Sequence, residues 1–157
     1  MPRVALVDVA EVRDLADAVV AAFTADWGPR LDGAEIAHIG ATALPFGHTK
    51  GDVDVNVRVV ADRFAAAVES LGRELPAAQP ENWTPTFASF ASPRYALPLG
   101  VQVTVVGSAD DFLLALRDLL RSDSDLLRRY DELKVVSAGG GADAYWHAKD
   151  EFLRRLI

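Results

Sequence analysis

His38-Ile39-Gly40-Ala41-Thr42-Ala43-Leu44-Pro45-Phe46-Gly47-His48-Thr49-Lys50-Gly51-Asp52-Val53-Asp54-Val55-Asn56-Val57-Arg58 contains a glycine turn, a loop and then a strand. Along that strand Asp52, Asp54, Asn56 and Arg58 alternate strictly with Val53, Val55, Val57 and Val59. Side chains switch faces at each residue of a strand, so the valines share one face and the two aspartates stand side by side on the other. Two carboxylates then point the same way.

Working outward, the residues before this stretch read as a helix over 8–26, with Val9, Val12, Leu15, Ala16, Val19, Val20 and Phe23 at helical spacing. Asp8 and Glu11 are placed as a capping pair, and Trp27-Gly28-Pro29 ends the helix. A short strand over 34–39 enters the Gly40 turn and could neighbour the aspartate strand, which spans about 52–60. A second helix over 61–71 stops at Gly72, and the tract 74–86, with Pro76, Pro80 and Pro85, is a loop. Strands are expected over 86–97 and 100–106. If the latter lies beside the aspartate strand, Gln102 and Thr104 look into the same cleft as Asp52 and Asp54. Ser108, with Asp111 three residues on, is expected to open a helix whose buried stripe is Phe112, Leu113, Leu116, Leu119 and Leu120. Two more helices follow, carrying Leu126, Leu127, Tyr130 and Leu133, then, after Gly139-Gly140-Gly141, Tyr145, Ala148, Phe152 and Leu156. This order of elements says α+β.

The chain has 157 residues, half of them apolar, which is the size of one domain with one core. A formal net charge of −7 argues against a protein that grips duplex nucleic acid, because that affinity comes from lysine and arginine neutralising phosphates. It does not exclude a nucleotide. With no cysteine there is neither a disulfide framework nor a thiolate metal cluster. The first residues form too short an apolar run for a signal peptide, and no run approaches the ~20 apolar residues of a membrane helix. A cytoplasmic location is expected.

Two aspartates at i and i+2 on a strand reached from a glycine turn suit magnesium-dependent transfer of a nucleotidyl or phosphoryl group. Magnesium takes oxygen ligands, so one or two carboxylates plus substrate phosphates complete its shell. Gly40, lacking a side chain, lets the backbone approach a phosphate and donate N–H groups to it. The bland reading stands beside this one, since a strand with one solvated face alternates in the same way. There is no Walker-type loop.

His38-Ile39-Gly40-Ala41-Thr42-Ala43-Leu44-Pro45, followed by Lys50 and Asp54, resembles the signature of the GrpB family, roughly His-Ile-Gly-Ser-Thr-Ala-Val-Pro-Gly-Leu, then Lys-Pro and an aspartate strand. The likeness runs on through residues 103–108 and through Leu116-Arg117-Asp118-Leu119-Leu120-Arg121, which is similar to Phe-Arg-Asp-Tyr-Leu-Arg. Tyr130 with Lys134, and Tyr145 with Lys149, fall where the family has Tyr-x-x-x-Lys pairs. The resemblance spans nearly the whole chain. It implies a single GrpB-like domain over 1–157 with the nucleotidyltransferase fold of the DNA polymerase beta-like superfamily, a small mixed sheet packed by helices with a helical C-terminal part. It further implies a turn near phosphates at Gly40 and Ala41, and a carboxylate pair, Asp52 and Asp54, holding magnesium or manganese.

The expected activity is therefore transfer from a nucleoside triphosphate to an unknown acceptor. Gly40, Ala41, Thr42, Lys50 and Arg117 would bind the nucleotide, with Asp52 and Asp54 as catalytic residues and metal ligands. Arg117 lies at the edge of its helix's apolar stripe; it either reaches the cleft or snorkels over the core. Lys134 and Lys149, one turn after tyrosines, read as lysines covering aromatic edges. Trp83 is kept as a stacking surface for a base. The family's turn serine is Ala41 here, and its His-x-His is Gln102-Val103-Thr104. Neither Gln102 nor Thr104 is a base near neutral pH. The alternative expectation is thus a non-catalytic nucleotide- or metal-binding module of the same fold.

Overall fold

In the computed structural model, which describes residues 2–157, the alternating valines of the aspartate strand are what the rest packs against. Met1, the first residue of the expected domain, lies outside the described residues. The strand, β4, is Val53–Val59, and it follows β1 (Val7–Asp8), β2 (Glu35–Ile39) and β3 (His48–Thr49). β5 (Phe87–Ser92) and β6 (Leu99–Val105) complete a four-stranded sheet in the order β2-β4-β6-β5. β4 is antiparallel to β2 and parallel to β6, and β5 is antiparallel to β6, so the sheet is mixed.

Val53, Val55, Val57 and Val59 are at most 2% exposed. They pack with Val101 and Val103 of β6, with Ala16, Val19 and Phe23 of helix α1 (Val9–Trp27), and with Ala67 and Leu71 of α2 (Ala61–Gly72). Fully burying each valine is worth roughly 2 kcal/mol, so this face fixes the strand register. α1 begins where its cap was expected, with the Asp8 carboxylate accepting the Ala10 N–H at 2.8 Å. The C-terminal part is helical: α3 (Leu113–Ser122), α4 (Ser124–Ala138) and α5 (Ala142–Arg154). Leu116, Leu120, Leu126, Leu127 and Tyr130 form a second core with Leu44 from the loop after the glycine turn. This is the α+β arrangement, a small mixed sheet packed by helices with a helical C-terminal part.

Three local expectations are corrected. The loop expected between the glycine turn and the aspartate strand is in part a strand, since His48 and Thr49 form β3, which pairs with β1 as a two-stranded antiparallel ribbon; two-residue strands carry no readable period. Ser108 does not open α3, which starts at Leu113, because the Asp111 carboxylate is bound by Arg58 and by the Gly107 N–H instead of capping a helix. Leu119, placed in the buried stripe, is 37% exposed.

Candidate active site

Asp54 is the centre of the polar face of β4. Its register partners are Ile39 on β2 and Gly100 on β6, and the Gly40 turn follows directly on Ile39. A methyl group built on Gly40 would lie 2.7 Å from one carboxylate oxygen of Asp54, and one built on Gly100 would lie 2.6 Å from the other. The carboxylate therefore sits in a slot that only two glycines leave open. Gly40 also has φ +77°, a region that residues with a Cβ rarely adopt. Beyond it Ala41–Ala43 makes one 3₁₀ turn, closed by Ala43 N–H to the Gly40 carbonyl at 3.0 Å. The N–H groups of Ala41 and Thr42 lie at the start of that turn, where no intrahelical acceptor exists.

The loop is held from behind. Arg13 donates to the carbonyls of Thr42 and Leu44 (3.0 and 2.6 Å), Arg121 to that of Ala43 (2.9 Å), and Arg117 to that of His38 (3.1 Å). His38 Nε2 lies 2.8 Å from the Thr42 hydroxyl, which also donates to the Asp52 carbonyl at 3.4 Å. Burial pushes His38 down to about 4, and Arg121, Arg13 and Arg117 act in the same direction against Asp17. His38 is thus a neutral structural ring that links the turn to the residue opening the aspartate strand.

Burial pushes the Asp54 carboxyl up to about 6, and the neighbouring Asp52 charge adds to the rise. Lys149 and Lys50, with a hydrogen bond from the Gln102 side chain, act against it. Both lysines are close to Asp54, yet neither forms an ion pair among the described residues. Their ammonium groups lie instead by the rings of α5: Lys50 is 5.8 Å from Tyr145 and 5.5 Å from Trp146, and Lys149 is 5.1 and 5.2 Å from the same two. Burial and the Lys50 charge lower the pKa of Lys149. Two cations thus crowd one pair of rings at the edge of the aspartates.

Lys134 is further inside. It is 2% exposed, donates to the His48 carbonyl at 2.5 Å and is pushed down to about 8 by burial, with Lys149 adding to the fall. Asp131, one turn before it, accepts from the His48 backbone N–H at 2.6 Å and lies 2.8 Å from its ring Nδ1. These contacts fasten α4 to the loop that leads into the aspartates.

Along the same face Asn56 pairs in register with Gln102, and Arg58 with Thr104. The expected placement of Gln102 and Thr104 beside the aspartate row is what the sheet shows. Asn56 donates to the Gln102 carbonyl and to the Thr104 hydroxyl, each at 3.0 Å, leaving its own Oδ1 and Gln102 Oε1 buried without a donor. Asn56 is fully buried, so the upper part of this face is not a solvated strand face.

The fold therefore brings Gly40, Asp52, Asp54 and Lys50 together. It buries Thr42 completely, whereas Gly40 is exposed and Ala41 half-buried. Arg117 is held by Asp118 and the His38 carbonyl, with no hydrogen bond or ion pair to Asp52 or Asp54 among the described residues. Trp83 is also engaged elsewhere: its Nε1 donates to the Ala78 carbonyl at 3.1 Å and its ring meets Phe90 edge-on at 5.2 Å. Lys149 and Lys134 are the residues that helical spacing alone discounted. The signal that could have found them is the pairing of each with a tyrosine in the family pattern. Among the described residues no cluster of three or more His, Cys, Asp or Glu side chains is placed to hold a metal ion. No helix of the described residues is long and apolar enough to cross a membrane.

Comparison with known proteins identifies the family. A UPF0157 protein of Vibrio cholerae is 28% identical over 127 residues, covering 81% of this chain and 68% of that protein. The crystal structure of the conserved protein GrpB from Enterococcus faecalis superposes with a TM-score of 0.68 at 16% identity, over 97% of this chain and 99% of that one. A structure of Cid1, described as an RNA terminal uridylyl transferase, aligns at a TM-score of 0.45 and 13% identity, over 82% of this chain and 38% of that one. The family model described as GrpB protein matches residues 9–157, and the chain belongs to the GrpB family.

Proposed function

We propose that this chain is a nucleotidyltransferase that uses magnesium or manganese, taking a nucleoside triphosphate as donor and an acceptor still to be identified. The observation that carries the reading is the Asp54 slot: a carboxylate confined between Gly40 and Gly100, beside Asp52, with Lys50 and Lys149 close by and in no ion pair among the described residues. An anion-rich ligand brought with a divalent cation satisfies both charges at once. The donor set fits such an ion, because Asp52 and Asp54 both offer hard carboxylate oxygens. With no third carboxylate placed beside them among the described residues, the remaining ligands have to come from phosphate and water, as magnesium sites usually arrange.

In this reading Asp52 and Asp54 hold the ion, which neutralises the phosphate charge when bound. The backbone at Gly40 and Ala41 receives phosphate oxygens, with the buried Thr42 holding the turn behind them, and Lys50 and Lys149 supply positive charge. Arg117 acts on the nucleotide through the loop it holds. Catalysis is then mostly positioning and charge neutralisation.

One observation favours the second reading, a non-catalytic nucleotide- or metal-binding module. The side chain that reaches Asp54 from β6 is the Gln102 amide, which cannot accept a proton from an attacking hydroxyl.

A thermal-shift panel of the four ribonucleoside triphosphates with magnesium or manganese tests the proposal, on the native chain and on Asp54→Asn. A ligand at 100 times its dissociation constant adds about 2.7 kcal/mol, which raises the melting point by roughly 5–10 °C at this size. The expected rise requires metal and disappears in Asp54→Asn; no rise with any nucleotide overturns the first reading and the nucleotide-binding form of the second, and no rise with metal alone overturns its metal-binding form. Release of pyrophosphate in the presence of an acceptor separates the first reading from the second.

A further inference from the structure

We propose that Trp146 is the platform on which the base of the bound nucleotide stacks, so that α5 supplies both the base site and, through Lys149, part of the phosphate site. This rests on the nucleotide reading of the aspartate slot.

Trp146 is 52% exposed, whereas Trp27 is buried and Trp83 is partly buried with its indole N–H taken by Ala78. The lysines Lys50 and Lys149 border its ring, at 5.5 and 5.2 Å from the ring centre. The same two ammonium groups act on Asp54, so the indole and the carboxylate are joined by one short run of positive charge. A nucleotide has the matching sequence of parts: metal-bound phosphates, a charged chain, then an aromatic base. Every base offers a π-face, and stacking on an aromatic side chain needs no hydrogen-bond readout. Each ammonium lies by the same ring, and two like charges so placed repel. A polyanion relieves that repulsion while its base covers the open indole surface. Stacking of this kind scales with ring area, so a purine nucleotide is favoured over a pyrimidine one.

The test compares binding of inorganic tripolyphosphate, ATP and UTP, each with magnesium, to the native protein, Trp146→Ala and Trp146→Phe by titration calorimetry. The native protein is expected to bind ATP more tightly than tripolyphosphate, with UTP between them. Trp146→Ala should weaken ATP roughly five- to 150-fold while leaving tripolyphosphate within about two-fold, and Trp146→Phe should restore most of the difference. An ATP-to-tripolyphosphate ratio unchanged in Trp146→Ala overturns the stacking platform and leaves the nucleotide reading intact. Failure of the native protein to bind either ligand overturns that reading and the platform with it. Because Trp146 is exposed, the variant is expected to fold; an unchanged melting point without ligand confirms that the comparison is fair.

Discussion

Asp54 has its carboxyl pushed up to about 6 against an ordinary 3.8, chiefly by burial. The folded chain therefore binds a proton there more tightly than the unfolded chain does. Stability from this group is present below pH ~4 and lost as the pH rises through about 6. At neutral pH the ionised carboxylate costs about 3 kcal/mol. Asp54→Asn, which keeps the shape and removes the charge, is expected to unfold at higher urea than the native chain at pH 7.5 and at similar urea at pH 4; lower stability at both would show that the charge is not strained. The slot itself is tested by Gly100→Ala, whose added methyl meets the Asp54 oxygen at 2.6 Å. That substitution should cost about 1–3 kcal/mol alone and much less in an Asp54→Ala background, a coupling that a double-mutant cycle reads directly. The Asp-x-Asp alternation was legible in the sequence because period two is a local property. The slot was not, because Gly100 comes opposite Asp54 only through the β4–β6 register, and glycine in a valine-rich strand announces no partner.

At the scale of elements, the valine rows and the helical stripes were legible because burial repeats at the period of the backbone. What failed were positions where one side chain had two possible partners. Asp111 follows Ser108 at the spacing of a cap, yet the Arg58 fork takes both its oxygens at 2.7 and 2.8 Å and delays α3 to Leu113. The competing guanidinium is supplied by β4, distant in sequence, so local spacing could not reveal it. This pair joins the sheet to the turn before α3, and its carboxyl is held below the usual range by Arg58. Its stabilisation is present above pH ~4 and fades as the pH falls through the lowered value. Asp111→Asn is expected to cost about 2 kcal/mol at pH 7 and less at pH 3, measured by urea unfolding. If Asp111 were merely a solvated turn residue, the loss would be near zero at both. Lys134 lies where helical spacing placed it, over an aromatic edge, 4.9 Å from the Tyr130 ring centre, but spacing alone could not show that the contact is buried.

For the molecule as a whole, the net charge of −7 hides a local cluster of cations, Lys50, Lys134 and Lys149, where α4 and α5 meet the aspartate loop. Lys134 is pushed down to about 8 from 10.5, so the folded chain releases its proton more readily than the unfolded chain. Between those two values stability rises with pH, and below about 8 the charged ammonium is a standing cost; Lys149 is shifted in the same direction. Tyr145, pushed up to about 12 from 10, opposes this only above pH ~10. The stability of the ligand-free chain should accordingly be higher at pH 9 than at pH 7, with Lys134 contributing about 1 kcal/mol of the rise. Lys134→Met removes the charge and keeps the buried stem, so it should reduce that rise while leaving the His48 carbonyl without its donor. Urea midpoints at pH 7 and pH 9 for both proteins decide the matter. A native chain no more stable at pH 9 would mean that the lysines are already compensated. A rise that shrinks in Lys134→Met would mean that the Lys134 ammonium is held at a cost at neutral pH even with Asp131 3.9 Å away, a cost that a polyanionic ligand bound beside it would offset.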